Sequence, residues 1–175
     1  EVSTLAGVPE IMDGRGKTLH PAIHGGLLGR PGIDDEVMEQ HHAAPIDLLV
    51  VNLYPFEQTT AAPGCSFAEA IENIDIGGPA MLRAAAKNHE HVAALVDPAD
   101  YADVLSAIAE GGTSLTLRRR LAAKTFAHTA RYDGLVANWL GLRADAEKPE
   151  VFAPSLHLAY ECRQSLRYGE NPHKD

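Results

Sequence analysis

One segment of the chain, IENIDIGGPAMLRAAAKNH at residues 71–89, combines an acid, a glycine pair and a lysine that could take part in proton transfer. Asp75 stands just ahead of Gly77-Gly78-Pro79, where a helix is expected to begin. Free backbone N–H groups at a helix N-terminus stabilise a carboxylate by ~0.3–1 kcal/mol, so Asp75 is either a helix cap or a chemical group. The glycines would let a ligand approach the backbone, although the chain has neither a G-x-G-x-x-G sequence nor a Walker loop.

The position of Lys87 leaves its role open. Lys87 follows Pro79 by eight residues, which is about 12 Å along a helix, so spacing alone does not bring it to Asp75. A cation at the end of a helix also complements the helix dipole. Arg83, one turn earlier, would favour a neutral Lys87 if the two cations lie close together, or is simply solvated.

The elements that position these residues follow an α/β pattern. Two short apolar runs, residues 46–51 and 92–96, predict parallel strands that are covered on both faces. Ser66 and Glu69 have the spacing of a capping box at the start of a helix, and Pro79 predicts the first residue of a second helix over 79–88.

The second half of the chain is predicted to be largely helical. Asp97-Pro98 begins a helix that Gly111-Gly112 ends, and residues 114–140 form a long helical segment. The polar residues 143–155 predict a linker. Residues 1–45, rich in Gly, Pro and His, indicate loops with short elements.

Ligands of open α/β folds bind outside the carboxyl ends of the strands. The first predicted strand ends in VNLYPF, which places Asn52 and Tyr54 at that edge. An amide and a phenol there could bind a polar ligand. The alternative is a strand end whose aromatic ring packs under a turn.

Composition excludes several classes of function. A net charge of −9 argues against sequence-independent nucleic-acid binding, and makes the run Arg118-Arg119-Arg120 a solvated face. Two distant cysteines favour a reducing compartment without disulfides. No apolar run approaches the ~18 residues of a membrane span. Because the chain starts without methionine, we expect a fragment.

The histidines do not predict a metal site. His20 and His24 are four residues apart, but Pro21 intervenes and the sequence offers neither an H-E-x-x-H motif nor an evident third ligand. Loop or core histidines are the better account of this pair, of His41-His42 and of His89 and His91.

Five motifs in order carry a resemblance: PEIMDGRGKTLHPAIHGGLLGR, VVNLYPFEQT, NIDIGGPAMLRAAAKNH, KTFAHTARYDGLVANWL and LRYGENPH. Together they resemble the bifunctional AICAR transformylase/IMP cyclohydrolase family of purine biosynthesis, over essentially the whole chain. The resemblance implies a parallel-sheet, Rossmann-like (methylglyoxal-synthase-like) three-layer domain with a helical C-terminal extension. It divides the chain into a cyclohydrolase domain (1–142), a linker (143–155) and the start of a transformylase domain (156–175).

The resemblance also implies a reaction, the closure of formyl-AICAR (FAICAR) to IMP with loss of water. The residues that match the family's cyclisation site are Lys87, Asp75, Tyr54 and Lys17. Lys87 would be the main proton-transfer group and Asp75 would orient the carboxamide, while Tyr54 and Lys17 surround the developing oxyanion.

Binding residues carry over in the same way. Positions that match nucleotide contacts are Arg15, Gly16, Lys17, Thr18, Val51, Asn52, Asp75 and Ile76. Arg167 and Tyr168 match positions that contact AICAR in the transformylase site. The cyclohydrolase step needs neither metal nor cofactor, whereas the transformylase uses 10-formyltetrahydrofolate as cosubstrate.

The remaining expectations concern context and departures from the family pattern. The family implies a cytoplasmic homodimer that acts on purine nucleotides and binds neither nucleic acid nor membrane. A Ser/Thr/Gly-rich phosphate cradle that opens the family's domain is absent from this sequence, and Gly16 stands where valine is common. The alternative to an active enzyme is therefore a truncated, non-catalytic nucleotide-binding remnant.

Overall fold

The computed structural model describes residues 16–144 and 152–165. Arg15, Arg167 and Tyr168 lie outside the described residues, as do parts of the predicted linker and of the segment 156–175. The elements in chain order are α1 (Pro21–Leu28), α2 (Asp35–Gln40), β1 (Leu48–Val50), α3 (Phe56–Ala61), α4 (Phe67–Glu72), α5 (Gly77–Lys87), β2 (Ala93–Leu95), a 3-10 turn (Pro98–Asp100), α6 (Tyr101–Ala109) and α7 (Leu115–Gly141).

The two strands form a parallel pair in which Leu49 lies opposite Ala94, which confirms the predicted parallel sheet. Side chains of β2 alternate between its faces. Ala94 packs against α1 and α5 in one core cluster, whereas Ala93 and Leu95 pack against α6 and α7 in another. Helices therefore cover both faces of the sheet, and the three-layer α/β architecture is confirmed.

A third core cluster joins the short helices to the second half of α7. Phe56 of α3, Ala70 of α4 and Tyr132 of α7 are its buried members. The rings of Phe56 and Trp139 meet edge to face, with centroids 5.8 Å apart. This cluster fixes the connection between β1 and α5 against α7, and so positions the segment around Asp75.

The predicted helix starts and stops are largely confirmed. Ser66 and Glu69 form the capping box of α4, and the Asp97 carboxylate accepts from the Ala99 N–H at the start of the 3-10 turn before α6. Gly111 and Gly112 have φ values of 109° and 131°, which only glycine adopts easily, and they end α6.

Two predictions about the strands and α5 are wrong in detail. Helix α5 begins at Gly77 rather than at Pro79, so the proline is the third residue of the helix. This position is acceptable because N–H groups in the first turn have no partner within the helix, and proline lacks only that N–H. The β1 run is not covered on both faces: Leu48 and Val50 are 39% and 47% exposed. Among the described residues β1 pairs only with β2.

The basic run at the start of α7 is not a simple solvated face. The Arg118 guanidinium donates to the carbonyls of Thr113, His89 and Glu90, and so fastens α7 to the turn after α5. Arg120 forms a 2.7 Å ion pair with Asp103 of α6. Sequence alone could not reveal these partners, because they lie on other elements. Within residues 16–144 and 152–165, no helix combines the length and apolar composition needed to cross a bilayer.

Candidate functional site

The Asp75 carboxylate joins two elements at the carboxyl end of β1. One oxygen, Oδ1, accepts from the Gly78 N–H at 2.8 Å, which caps α5. The other, Oδ2, accepts from the Tyr54 N–H at 3.3 Å, beyond β1. Asp75 therefore accepts from a first-turn N–H of α5 from the position before the N-cap residue Ile76, and this bond holds the carboxylate beside the loop that carries Tyr54. Capping does not exclude a chemical role, because the Asp75 side chain is only half-buried beside the Tyr54 loop.

The glycine pair at the start of α5 lets other parts of the chain approach closely. A Cβ atom on Gly77 would collide with the Thr18 Oγ1 atom. A Cβ atom on Gly78 would lie 2.6 Å from Asp75 Oδ2 and 2.8 Å from Leu53 Cδ2. Protein side chains therefore occupy the Cβ side of both glycines, and the approach of a ligand to their backbone stays a prediction.

The same contact brings a third segment to the site. Gly16, Lys17 and Thr18 form a turn closed by a 3.1 Å hydrogen bond from the Leu19 N–H to the Gly16 carbonyl. The Thr18 hydroxyl rests against Gly77, so this turn adjoins the N-terminus of α5. The Lys17 side chain is exposed at the rim. The sequence-predicted residues of this turn thus lie near Asp75.

The end of β1 presents polar groups to solvent. The Val51 N–H donates to the Leu95 carbonyl at 3.1 Å, which fixes the strand end. Asn52 is exposed and Tyr54 is 56% exposed, so the alternative of an aromatic ring packed under a turn is wrong. Ile76 is 57% exposed beside Asp75. Asn52 and Tyr54 also line a cleft of about 300 Å³ that α3 and α7 enclose with them.

Lys87 lies at the opposite end of α5 from Asp75. The helix has eleven residues, so its ends are about 15 Å apart. Lys87 is exposed in the last turn, where its charge complements the helix dipole. The Arg83 guanidinium lies 5.5 Å from the centroid of the Phe126 ring on α7. The described structure therefore unites the Gly16–Thr18 turn, Tyr54 and Asp75, and does not bring Lys87 to them.

One residue of the site was missed by sequence reasoning. The Tyr132 phenol on α7 accepts from the Asp75 N–H at 2.8 Å and donates to the Asn73 carbonyl at 3.2 Å. Burial raises the pKa of Tyr132 above its ordinary value. The sequence did show a tyrosine within one of the motifs that carry the resemblance. Its role could not be predicted, because its hydrogen-bond partners lie 57 and 59 residues away in the chain.

The first histidine of the His20/His24 pair has a structural role. His20 caps the helix, because its Nδ1 atom accepts from the Ala22 N–H at 3.2 Å. Across the described ranges, no group of three or more His, Cys, Asp or Glu side chains could hold a metal ion. Cys65 and Cys162 are both free thiols.

Comparisons with known proteins agree with this architecture. Residues 1–80 match the MGS-like domain, and residues 85–175 match the family described as AICARFT/IMPCHase bienzyme. The chain is 56% identical over 176 residues to the bifunctional purine biosynthesis protein PurH of Halalkalibacterium halodurans, and 54% identical over 177 residues to PurH of Streptococcus mutans. Each match covers 99% of this chain but 34% of the relative, so the chain spans about a third of their length.

A solved structure shows the same fold. The crystal structure of ForH superimposes with a TM-score of 0.66 at 40% sequence identity, over 78% of this chain and 73% of ForH. The family match extends over more than half of the chain, and an MGS-like domain precedes it. This chain therefore belongs to the AICARFT/IMPCHase bienzyme family of purine biosynthesis.

Proposed function

We propose that this chain carries the IMP cyclohydrolase step of a bifunctional purine-biosynthesis enzyme, the closure of FAICAR to IMP with release of water. The observation that carries the proposal is the convergence of the Gly16–Thr18 turn, Tyr54 and Asp75 at the carboxyl end of β1. In open α/β folds this edge is where ligands bind. The PurH relatives support a role in purine synthesis, and the cyclisation step is our assignment.

The cyclisation requires the protein to assist proton removal, charge stabilisation and protonation of the leaving oxygen. The carboxamide nitrogen attacks the formyl carbon and loses one proton, while negative charge develops on the formyl oxygen and is neutralised by protonation. The hydroxyl then takes a second proton and leaves as water, as the formamido nitrogen loses its own proton and forms the ring C=N bond. Asp75, held by two backbone N–H groups, suits orientation of the carboxamide and acceptance of its proton. The exposed Tyr54 phenol and the Lys17 ammonium suit stabilisation and protonation of the oxyanion.

Lys87 enters the proposal through the resemblance alone. Its place at the far end of α5 means that a proton-transfer role requires the reacting end of the ligand, or another part of the assembled protein, to reach it. If instead it only complements the helix dipole, its removal will leave the chemical step unchanged. A Lys87→Ala variant therefore decides between a catalytic and a structural lysine.

The remaining family assignments are proposals about the whole protein. Val51, Asn52 and Ile76 would contact the nucleotide, together with Arg15. Residues 1–142 would form the cyclohydrolase domain, 143–155 the linker and 156–175 the start of a transformylase domain. That domain would use 10-formyltetrahydrofolate to formylate AICAR, which Arg167 and Tyr168 would contact, in a cytoplasmic homodimer.

The test is the absorbance-monitored conversion of FAICAR to IMP. It uses the 175-residue chain and a protein completed to the length of the PurH relatives. We expect Asp75→Asn to lower kcat by about 10²–10⁴-fold, the usual range for a group that transfers a proton. Glu36→Gln on α2 is the matched control, because it removes an exposed carboxylate outside the site. Turnover that is unaffected by Asp75→Asn would overturn the proposed site. IMP binding without turnover in either protein would favour the non-catalytic alternative.

A further inference from the structure

We infer that Tyr132 is a positioning residue of the cyclisation site, whose phenol fixes the segment that presents Asp75; this inference rests on the proposed function. The Tyr132 hydroxyl bonds to the chain on both sides of Ile74, through the Asn73 carbonyl and the Asp75 N–H. A phenol has one donor and readily accepts one bond, and both capacities are used here. The side chain thus clamps the connection between α4 and α5.

The Tyr132 ring leaves this hydroxyl little freedom. The residue is 7% exposed and belongs to the core cluster with Phe56 and Ala70. Its ring meets the Phe56 ring edge to face, with centroids 6.4 Å apart and planes inclined at 67°. Since α7 is a 27-residue helix that also packs on β2 and α5, the phenol is carried by an element that is anchored in the core.

Asp75 needs such support because it lies between two helices. Its carboxylate is held by Tyr54 and Gly78, and its own N–H is held by Tyr132, so three hydrogen bonds from three segments determine its orientation. Removing the phenol frees the backbone at Asp75, and the carboxylate can then rotate away. Catalytic groups need placement within a fraction of an ångström, and a 1 Å error can cost about 10²-fold in rate.

Only a neutral phenol can perform this role, because a phenolate could not donate to the Asn73 carbonyl. Burial raises the pKa of Tyr132 above its ordinary value, which keeps the hydroxyl protonated at neutral pH.

The test is a double-mutant cycle in the natural full-length protein that contains this chain. Tyr132→Phe removes the hydroxyl and retains the ring, and it is measured with Asp75 present and in an Asp75→Asn background. With Asp75 present, we expect Tyr132→Phe to lower kcat for FAICAR closure about tenfold, with a smaller change in KM. In the Asp75→Asn background, we expect Tyr132→Phe to lower kcat by less than about twofold. Tyr101→Phe in the opposite core is the matched control, and it leaves kcat unchanged.

The cycle separates positioning from mere stability. If Tyr132→Phe only destabilises the fold, kcat per folded site stays at the wild-type value, or falls equally in both backgrounds, and the inference is overturned. If Asp75→Asn alone has wild-type kcat, the proposed role of Asp75 fails as well, which distinguishes the two failures. Should Tyr132→Phe not fold, fluorinated tyrosine at position 132 weakens the oxygen as an acceptor while keeping the phenol. The same coupling to Asp75 is then expected, and its absence refutes the clamp.

Discussion

The Gly78→Ala substitution would place a methyl group against the Asp75 carboxylate. The added Cβ atom would lie 2.6 Å from Oδ2 and 3.0 Å from Cγ of Asp75, and 2.8 Å from Leu53 Cδ2. The carboxylate has to retreat by roughly 0.8 Å to reach an ordinary contact of about 3.4 Å, and its 2.8 Å bond to the Gly78 N–H is disturbed at the same time. We therefore expect FAICAR closure to slow by about 10–100-fold.

The effect of the same change on stability is expected to be smaller. Overpacking a tight site costs ~1–3 kcal/mol in the free energy of unfolding. Alanine in place of glycine within a helix returns ~0.8–1.0 kcal/mol, because less backbone entropy is lost on folding. The net loss is thus about 0–2 kcal/mol, too little to unfold a domain of ordinary stability. Activity should fall much further than the folded fraction.

The assay pairs FAICAR turnover with urea unfolding of the same preparation. Gly141→Ala is the matched control, because its Cβ atom would meet the Ala153 methyl at 3.0 Å, at the C-terminal end of α7. Gly141→Ala should cost some stability and leave kcat per folded molecule unchanged. Full activity of a folded Gly78→Ala variant would refute the reasoning, since the carboxylate would then tolerate displacement.

Three further predictions concern folding. Ser66→Ala removes the hydroxyl that accepts from the Glu69 N–H and donates to the Glu69 carboxylate, while the bond from the Ser66 backbone N–H to Glu69 remains. It should lower the free energy of unfolding by ~0.5–2 kcal/mol in urea titrations, whereas Ser66→Asp should restore most of it. The Asn88 side-chain amide donates to the carbonyls of Leu27 and Gly29 at the end of α1, at 3.0 and 2.9 Å. Asn88→Ala leaves both carbonyls without this donor and should lower the free energy of unfolding by about 1–3 kcal/mol in the same titration. An unchanged unfolding midpoint would contradict a stabilising role of these two hydrogen bonds. The Arg30 guanidinium lowers the pKa of Asp34 to about 2, so its contribution to stability is complete above pH ~4 and is lost as pH falls toward 2. Asp34→Asn should be less stable than wild type at pH 6, the difference should be largely lost as pH falls through 2, and a full-sized difference that persists at about pH 1 would exclude the ion pair as its cause.

Much of the local structure around the site could be predicted from sequence, because it depends on near neighbours. The capping box at Ser66 and Glu69 and the end of α6 at Gly111-Gly112 follow from interactions within a few residues. The parallel strands follow from apolar runs of the length that a covered strand requires. The start of α5 was displaced by two residues, because a first-turn proline is equally acceptable at several positions.

The candidate site was predictable as a set of residue types and through resemblance, but its geometry was not. The partners of Asp75 come from Tyr54, 21 residues away, and from Tyr132, 57 residues away, and no local pattern encodes such pairings. In the same way, the space beside Gly77 is taken by Thr18, a contact that only the folded chain creates.

The sequence by itself determined the α/β class, the helix caps and the identity of the family, because these rest on local periodicity and on long motifs. The tertiary structure decided which candidate residues meet. It placed Asp75, Tyr54 and the Gly16–Thr18 turn at one edge of the sheet, and it left Lys87 about 15 Å along α5. The physical reason is that spacing in sequence fixes distances only within a single helix or strand. The distance between residues on different elements depends on how the chain turns between those elements and on how they pack.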